Sequence, residues 1–292
     1  MPFITNKRAK EEVEIHYKDY GSGQPVILIH GWPLSHRAWE PQVAAIVEAG
    51  FRCITYDRRG FGISSAPWDG YDYDSLAGDL NELMENLDLK DAVIVGFSMG
   101  GGEVVRYISK YGTARVQKAA LISSIIPLVK QKEDNPAGVP EKALMDIMGA
   151  LKSDRVGFLK NFVKNFYNYD DNKDKISEAQ THYDWTIAAY ASPRATIKAA
   201  EAWASTDFRP EMSKVTVPTL IVHGDADNIV PIETAGNQAA KVISDNQYVV
   251  IKDAPHGLTL THTEELNKVL LAFLKGAAIP EAKKSKDTAH AS

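Results

Sequence analysis

A single cysteine, Cys53, stands in 292 residues, so no intramolecular disulfide can form and a reducing compartment fits. Cys53 lies in the apolar run Phe51-Arg52-Cys53-Ile54-Thr55-Tyr56 and reads as a small buried hydrophobe rather than a reactive thiol. Basic residues are not in excess. Lys and Arg number 33 against 38 Asp and Glu, a formal net charge of −5, which gives no concentrated cationic face for nucleic acid. No run of about 18 apolar residues occurs, and Met1-Pro2-Phe3-Ile4-Thr5-Asn6-Lys7 lacks the apolar stretch of a secretion signal. The expectation is a cytoplasmic protein with no membrane partner. Glycine (20) and proline (14) are at average usage, which excludes collagen-like and linker-like chains. The remaining composition, 44% hydrophobic and 24% charged, suits one large α/β domain or two smaller ones, with a core that needs no staples.

Seven short runs predict strands: Val13–Tyr17, Pro25–His30, Phe51–Tyr56, Ala92–Phe97, Lys118–Ser123, Thr219–His223 and Tyr248–Lys252. Most are continuously apolar and β-branched, as strands covered on both faces are. Helical periodicity falls between them, at about 36–49, 75–87, 100–111, 234–242 and 263–274. This alternation predicts a mostly parallel twisted sheet flanked by helices and joined by right-handed crossovers. Between Pro127 and Met212 the alternation stops. That stretch is helical in period and rich in aromatics (Phe158, Phe162, Phe166, Tyr167, Tyr169, Trp185, Trp203), and it predicts an inserted helical cap over residues 128–212. The core is then residues 1–127 and 213–276, and residues 277–292, with Lys283-Lys284-Ser285-Lys286-Asp287, read as a disordered tail. Most of the cap aromatics are expected simply to hold the cap together.

Gly96-Phe97-Ser98-Met99-Gly100 follows the strand Ala92-Val93-Ile94-Val95 directly and precedes a helical pattern. This G-x-S-x-G on a strand-to-helix turn is the nucleophile elbow described for α/β-hydrolases. A turn that sharp forces the serine into a strained conformation, and side chains two residues before and after it would meet neighbouring backbone. A phosphate loop does not fit, because no Gly-Lys-Ser/Thr follows, and Gly60-Phe61-Gly62 lacks the third glycine of a dinucleotide fingerprint.

A serine hydroxyl needs a base. His256 in Asp253-Ala254-Pro255-His256-Gly257, just after a strand, is the preferred candidate and His262 the runner-up. His16, His36 and His290 read as ordinary or solvated. The base needs an orienting carboxylate. Asp225 and Asp227 both follow the strand Thr219–His223, in the chain order Ser…Asp…His. Asp227 is preferred, since Asp225 suits a turn closed by its own side chain. A metal reading of His223, Asp225 and Asp227 lacks a further ligand cluster. For an oxyanion, Trp32 in His30-Gly31-Trp32-Pro33 is a natural backbone donor because Pro33 has no N–H, and Met99 supplies the second.

With these pieces in place the chain resembles the α/β-hydrolase superfamily over about residues 20–275, and looks most like its cofactor-free haloperoxidase, perhydrolase and aryl esterase branch. The matching segments are His30-Gly31-Trp32-Pro33-Leu34-Ser35, Tyr56-Asp57-Arg58-Arg59-Gly60-Phe61-Gly62, Gly96-Phe97-Ser98-Met99-Gly100-Gly101-Gly102, His223-Gly224-Asp225-Ala226-Asp227 and Ala254-Pro255-His256-Gly257. The resemblance implies a Ser98, Asp227, His256 triad with Trp32 and Met99 N–H groups as oxyanion donors. It also implies a pocket lined by Phe162, Trp203, Ile229 and Val230, no metal or cofactor, a small ester or acyl substrate with hydrogen peroxide as a second acceptor, and room for a homo-oligomer. An amidase or lactamase on the same fold, or a slow-turnover ligand-binding receptor, are the rival readings. Dehalogenases need an aspartate where Ser98 stands. Similar enzymes that favour peracid formation carry proline after the oxyanion tryptophan, where it fixes the Trp32 carbonyl to accept a hydrogen bond from peroxide. Pro33→Leu is therefore expected to lower the ratio of perhydrolysis to hydrolysis, read by peracid release against acid release from one ester. An unchanged ratio would remove the role of Pro33.

Overall fold

The computed structural model describes residues 2–279 and 283–284. In chain order the elements are β1 (Phe3–Asn6), β2 (Val13–Tyr20), β3 (Pro25–Ile29), α1 (Glu40–Glu48), β4 (Arg52–Tyr56), α2 (Tyr73–Asn86), β5 (Ala92–Phe97), α3 (Met99–Tyr111) and β6 (Val116–Ile122). Then come α4 (Glu141–Ser153), α5 (Arg155–Phe166), α6 (Glu178–Tyr190), α7 (Pro193–Ser205), β7 (Thr219–Gly224), α8 (Gly236–Val242), β8 (Asn246–Ile251), α9 (Leu258–Thr261), α10 (Thr263–Leu274) and β9 (Lys283–Lys284). The strands form one sheet in the order β1-β2-β4-β3-β5-β6-β7-β8-β9. Pairing is parallel from β4 through β8 and antiparallel at both edges. None of the helices among the described residues is long and apolar enough to cross a membrane.

The apolar strand runs divide by parity. Ile27, Ile29, Ile54, Ile94 and Leu121 join one core cluster with Leu76 and Leu80 of α2 and Val104 and Ile108 of α3. Their neighbours Val26, Leu28, Cys53, Val93, Val95 and Ile122 join the other, with Ile46 of α1 and Leu266 and Leu270 of α10. Alternate side chains point to opposite faces of a strand, so a continuous apolar run is what a sheet packed by helices on both sides requires. Cys53 is fully buried, and burial pushes its thiol up to about 12, as suits packing rather than reactivity.

Three expectations shift. The periodic stretch at 36–49 splits into a short 3-10 turn, His36–Trp39, and α1, with proline in the first turn of the helix. The first strand, β1, carried no clear sequence signal in four residues. It is held by pairing with β2 and by Asn6, whose Nδ2 donates to Asp79 Oδ1 at 2.8 Å. In the segment expected to be a disordered tail, Lys283–Lys284 pair with Gln247 and Tyr248 of β8; residues 280–282 and 285–292 lie outside the described residues. Between β6 and β7 the chain leaves the sheet for α4 to α7. Leu144, Leu159 and Ala195 pack into the first cluster, and Val163, Phe166 and Tyr167 into the second.

A buried ion pair ties α3, the helix that begins just after Ser98, to the sheet. Glu103 of α3 and Arg58, just after β4, are 0% and 1% exposed and form a salt bridge. Tyr56 Oη donates to Glu103 Oε2 at 2.8 Å, and Arg58 Nη2 donates to the His30 carbonyl at 2.7 Å. Removing one member strands the other charge in the core, whereas removing both does not. Glu103→Ala is expected to lower the unfolding free energy by about 3–5 kcal/mol in urea titrations. The double change Arg58→Met with Glu103→Leu should lose much less, and equal losses would contradict this account.

Candidate active site

Ser98 lies between β5 and α3 at φ 54° and ψ −118°, a left-handed conformation that costs of order 1–3 kcal/mol for a non-glycine residue. The flanking glycines show why the turn tolerates nothing larger. A Cβ on Gly96 would come within 2.5 Å of the Gly100 carbonyl, and one on Gly100 within 2.5 Å of the Ile29 carbonyl. The turn leaves the Ser98 hydroxyl at the first turn of α3, whose unpaired N–H groups favour negative charge.

The structure brings Ser98, Asp227 and His256 together. His256 Nε2 lies 2.9 Å from Ser98 Oγ and its Nδ1 lies 2.7 Å from Asp227 Oδ2. All three are buried. The other oxygen of Asp227, Oδ1, accepts from the backbone N–H groups of Ile229 at 3.0 Å and Val230 at 2.8 Å. Burial alone would raise the Asp227 carboxyl. The neighbouring His256 and the hydrogen bonds from His223 and His256 outweigh it and hold the group well below the usual carboxylate range. Asp225 is exposed and accepts from the Asp253 N–H at 2.6 Å, so it braces two loops. His262 pairs with Lys175 and Thr261 and takes no part in the Ser98 cluster.

The imidazole of His256 is seated by rings. Phe97 lies 5.2 Å from it and Phe166, from α5, meets it edge-on at 5.1 Å. Phe166 also accepts the Gly257 N–H through its carbonyl at 2.8 Å. Periodicity marks Phe166 as apolar but says nothing of which ring it covers, since that contact joins residues 90 positions apart in the chain.

Trp32 lies on the loop after β3. Its indole Nε1 donates to the Thr196 carbonyl of α7 at 2.9 Å, and its ring packs on Phe162 and Trp203 at 5.2 and 5.9 Å. The backbone N–H groups of Trp32 and Met99 donate to no protein acceptor among the described residues. They are two free donors on the elements flanking Ser98. The loop itself rests on His30, whose Nδ1 faces the Gly31 carbonyl at 2.8 Å and whose Nε2 accepts the Arg58 N–H at 3.0 Å. Burial, and then the Arg58 cation beside it, push the His30 imidazole down to about 3.

A cavity of about 560 Å³ reaches Ser98 and His256. Trp32, Phe162, Trp203, Ile229 and Val230 line it. Pro33 does not. The turn closed by Leu34 N–H on the Gly31 carbonyl at 3.0 Å leaves Trp32 on the wall and Pro33 buried behind it. The sequence reading missed Ile125 and Val129, after β6, and Leu144, Ile147 and Phe158, from α4 and α5. Asn161, Asn165 and Asn228 are exposed polar residues of the same wall. An apolar chamber with few polar groups suits an uncharged acyl or aryl portion.

Among the described residues, His16, His36 and Asp57 are the group whose ligand-type atoms gather within 4.8 Å. His16 is fully buried, which excludes the solvated half of its reading and leaves the ordinary, structural one. The Asp57 carboxylate already accepts from His16 Nδ1 at 3.2 Å, His36 Nδ1 at 2.7 Å, the His36 N–H at 2.8 Å and the Ile63 N–H at 3.1 Å. Four donors fill its lone pairs, so the cluster reads as a hydrogen-bonded hub that pins the loop after β4. The His223, Asp225 and Asp227 combination is broken by the outward turn of Asp225.

Comparison with known proteins gives the family of the chain. The profile of a family described as the alpha/beta hydrolase fold matches residues 24–263. The chain is 45% identical over 277 residues to a putative non-heme chloroperoxidase from Synechocystis, covering 94% of this chain and all of that protein. It is 37% identical over 278 residues to a bifunctional esterase/perhydrolase from Acinetobacter calcoaceticus, with 94% and 100% covered. The crystal structure of a bromoperoxidase from Bacillus anthracis superposes with a TM-score of 0.90 at 47% identity, covering 94% of this chain and 100% of that one.

The buried His30 generates a pH prediction. Unfolded, it takes up a proton below about pH 6.5, while folded it holds out to about 3. Its contribution to stability is therefore complete above pH 6.5 and is lost as pH falls from there toward 3. His30→Gln is expected to flatten that part of the stability-against-pH curve in urea titrations. An unaltered acid slope would contradict it.

Proposed function

Because the chain belongs to the α/β-hydrolase family, we propose that it is a serine hydrolase of small or medium carboxylic esters that also uses hydrogen peroxide as an acyl acceptor. The observation that carries this reading is the continuous chain of contacts Asp227–His256–Ser98, at 2.7 and 2.9 Å, at an apolar cavity. His256 takes the proton of the Ser98 hydroxyl as Oγ attacks the acyl carbonyl. Asp227 holds the imidazole with Nδ1–H toward itself and stabilises the imidazolium that forms. The tetrahedral oxyanion is received by the Trp32 and Met99 N–H groups, each worth about 3–4 kcal/mol to the transition state. His256 returns the proton to the leaving alcohol, and an acyl-Ser98 ester remains.

Water or hydrogen peroxide then attacks that ester. His256 removes a proton from the attacking oxygen and hands it to Ser98 Oγ, and the product is the carboxylic acid or the peracid. The relatives named as haloperoxidases and as an esterase/perhydrolase support both outcomes for this chain. A peracid released into solution can oxidise halide there, which makes halogenation a secondary consequence of acyl transfer. Every step draws on the side chains and backbone donors already described.

p-Nitrophenyl acetate hydrolysis, with and without hydrogen peroxide and with peracid monitored, tests the reading. Ser98→Ala should reduce turnover by about a thousandfold or more, and the wild type should release peracetic acid only when peroxide is present. Hydrolysis without peracid would leave an esterase or amidase. A wild type no faster than Ser98→Ala would overturn acyl transfer through Ser98 on this substrate.

A further inference from the structure

The carboxylate of Asp227 has a second histidine on it. His223 is the penultimate residue of β7, four residues before Asp227, and its side chain is buried. Its Nε2 lies 2.9 Å from the Val230 carbonyl and 3.3 Å from Asp227 Oδ2. A carbonyl only accepts, so the hydrogen of this ring sits on Nε2, shared between Val230 and the carboxylate. The other nitrogen, Nδ1, has no hydrogen-bond partner among the described residues, and the Gly236 backbone passes so close that a Cβ there would stand 3.0–3.1 Å from His223 Cβ, Cγ and Nδ1.

We propose that His223 is a positioning residue that fixes the Oδ2 atom of Asp227 against His256. This rests on the reading of Ser98, Asp227 and His256 as the reacting set. Oδ1 is held by two backbone N–H groups, of Ile229 and Val230, on its own loop. Among the described residues, Oδ2 is held by His256 and His223. Without His223, the carboxylate keeps its hinge at Oδ1 and gains freedom to swing Oδ2. The His256 ring, wedged between Phe97 and Phe166, cannot follow, so the 2.7 Å contact loosens and the imidazole loses its alignment on Ser98 Oγ. His223 does not line the cavity. Its loss should therefore appear in kcat and leave KM unchanged.

The test is a matched pair, His223→Gln and His223→Met, alike in length and differing in the donor, assayed on p-nitrophenyl acetate with thermal unfolding measured alongside. His223→Met is expected to lower kcat about three- to tenfold, the worth of one buried hydrogen bond, with KM unchanged. His223→Gln should stay within about twofold of wild type. Introduced into Asp227→Ala, His223→Met should cause no further loss, because the two act as a unit. Should His223→Met fail to fold, His223→Asn, whose carboxamide is too short to reach the position of Nε2, replaces it with the same expectation. A kcat within twofold of wild type for the donor-free variant, or an equal drop in the Asp227→Ala background, would overturn the role of His223. Activity that survives Ser98→Ala would instead overturn the reading on which it rests.

Discussion

Ser98 is held at φ 54° between a fully buried strand and the first turn of a helix, and much of the molecule serves to keep it there. The conformation is unfavourable by itself and persists because its surroundings leave no other path for the chain. β5 is the central strand, paired on both sides in parallel with β3 and β6, and every residue in it is buried. α3 is packed into one core cluster through Val104 and Ile108 and tied to the sheet by the Glu103–Arg58 pair. Strand and helix cannot move apart, so Ser98, the one residue between them, cannot relax.

Around that turn the protein gathers charge at the carboxyl ends of parallel strands, where open α/β sheets place their ligands. Asp227 follows β7, His256 follows β8, the Trp32 loop follows β3 and Asp57 follows β4. The two carboxylates there, Asp57 and Asp227, are each met by four donors. Asp57 accepts from two imidazoles and two backbone N–H groups. Asp227 accepts from two backbone N–H groups and two imidazoles. A buried carboxylate is tolerable only when so satisfied, and the same saturation fixes its direction. Stability and alignment thus come from the same contacts.

The sequence was legible where one segment carries the whole signal. The elbow glycines, the apolar strands and the two loops bearing Asp227 and His256 are local patterns, and each stands where its motif indicated. Between Asp225 and Asp227 the choice rested on turn chemistry alone. The structure settles which carboxylate meets the imidazole through a contact with Asp253 that lies 28 residues away. The pocket was legible in part. Trp203 and Phe162 stood out as aromatics, whereas Ile125, Val129, Leu144 and Ile147 are aliphatic residues that could equally have been core. His16 looked unremarkable because its partner, Asp57, lies 41 positions away.

The sequence by itself determined the class of the fold, the strained serine turn and the chain order of Ser98, Asp227 and His256, because these depend on periodicity and on side chains a few residues apart. Tertiary structure alone decided which rings seat His256, which residues wall the cavity, how the Trp32 loop is underpinned and that His223 shares the Asp227 carboxylate. Those outcomes depend on distances between segments remote in the chain, and such distances exist only once the sheet has assembled and the helices between β6 and β7 have closed over its edge.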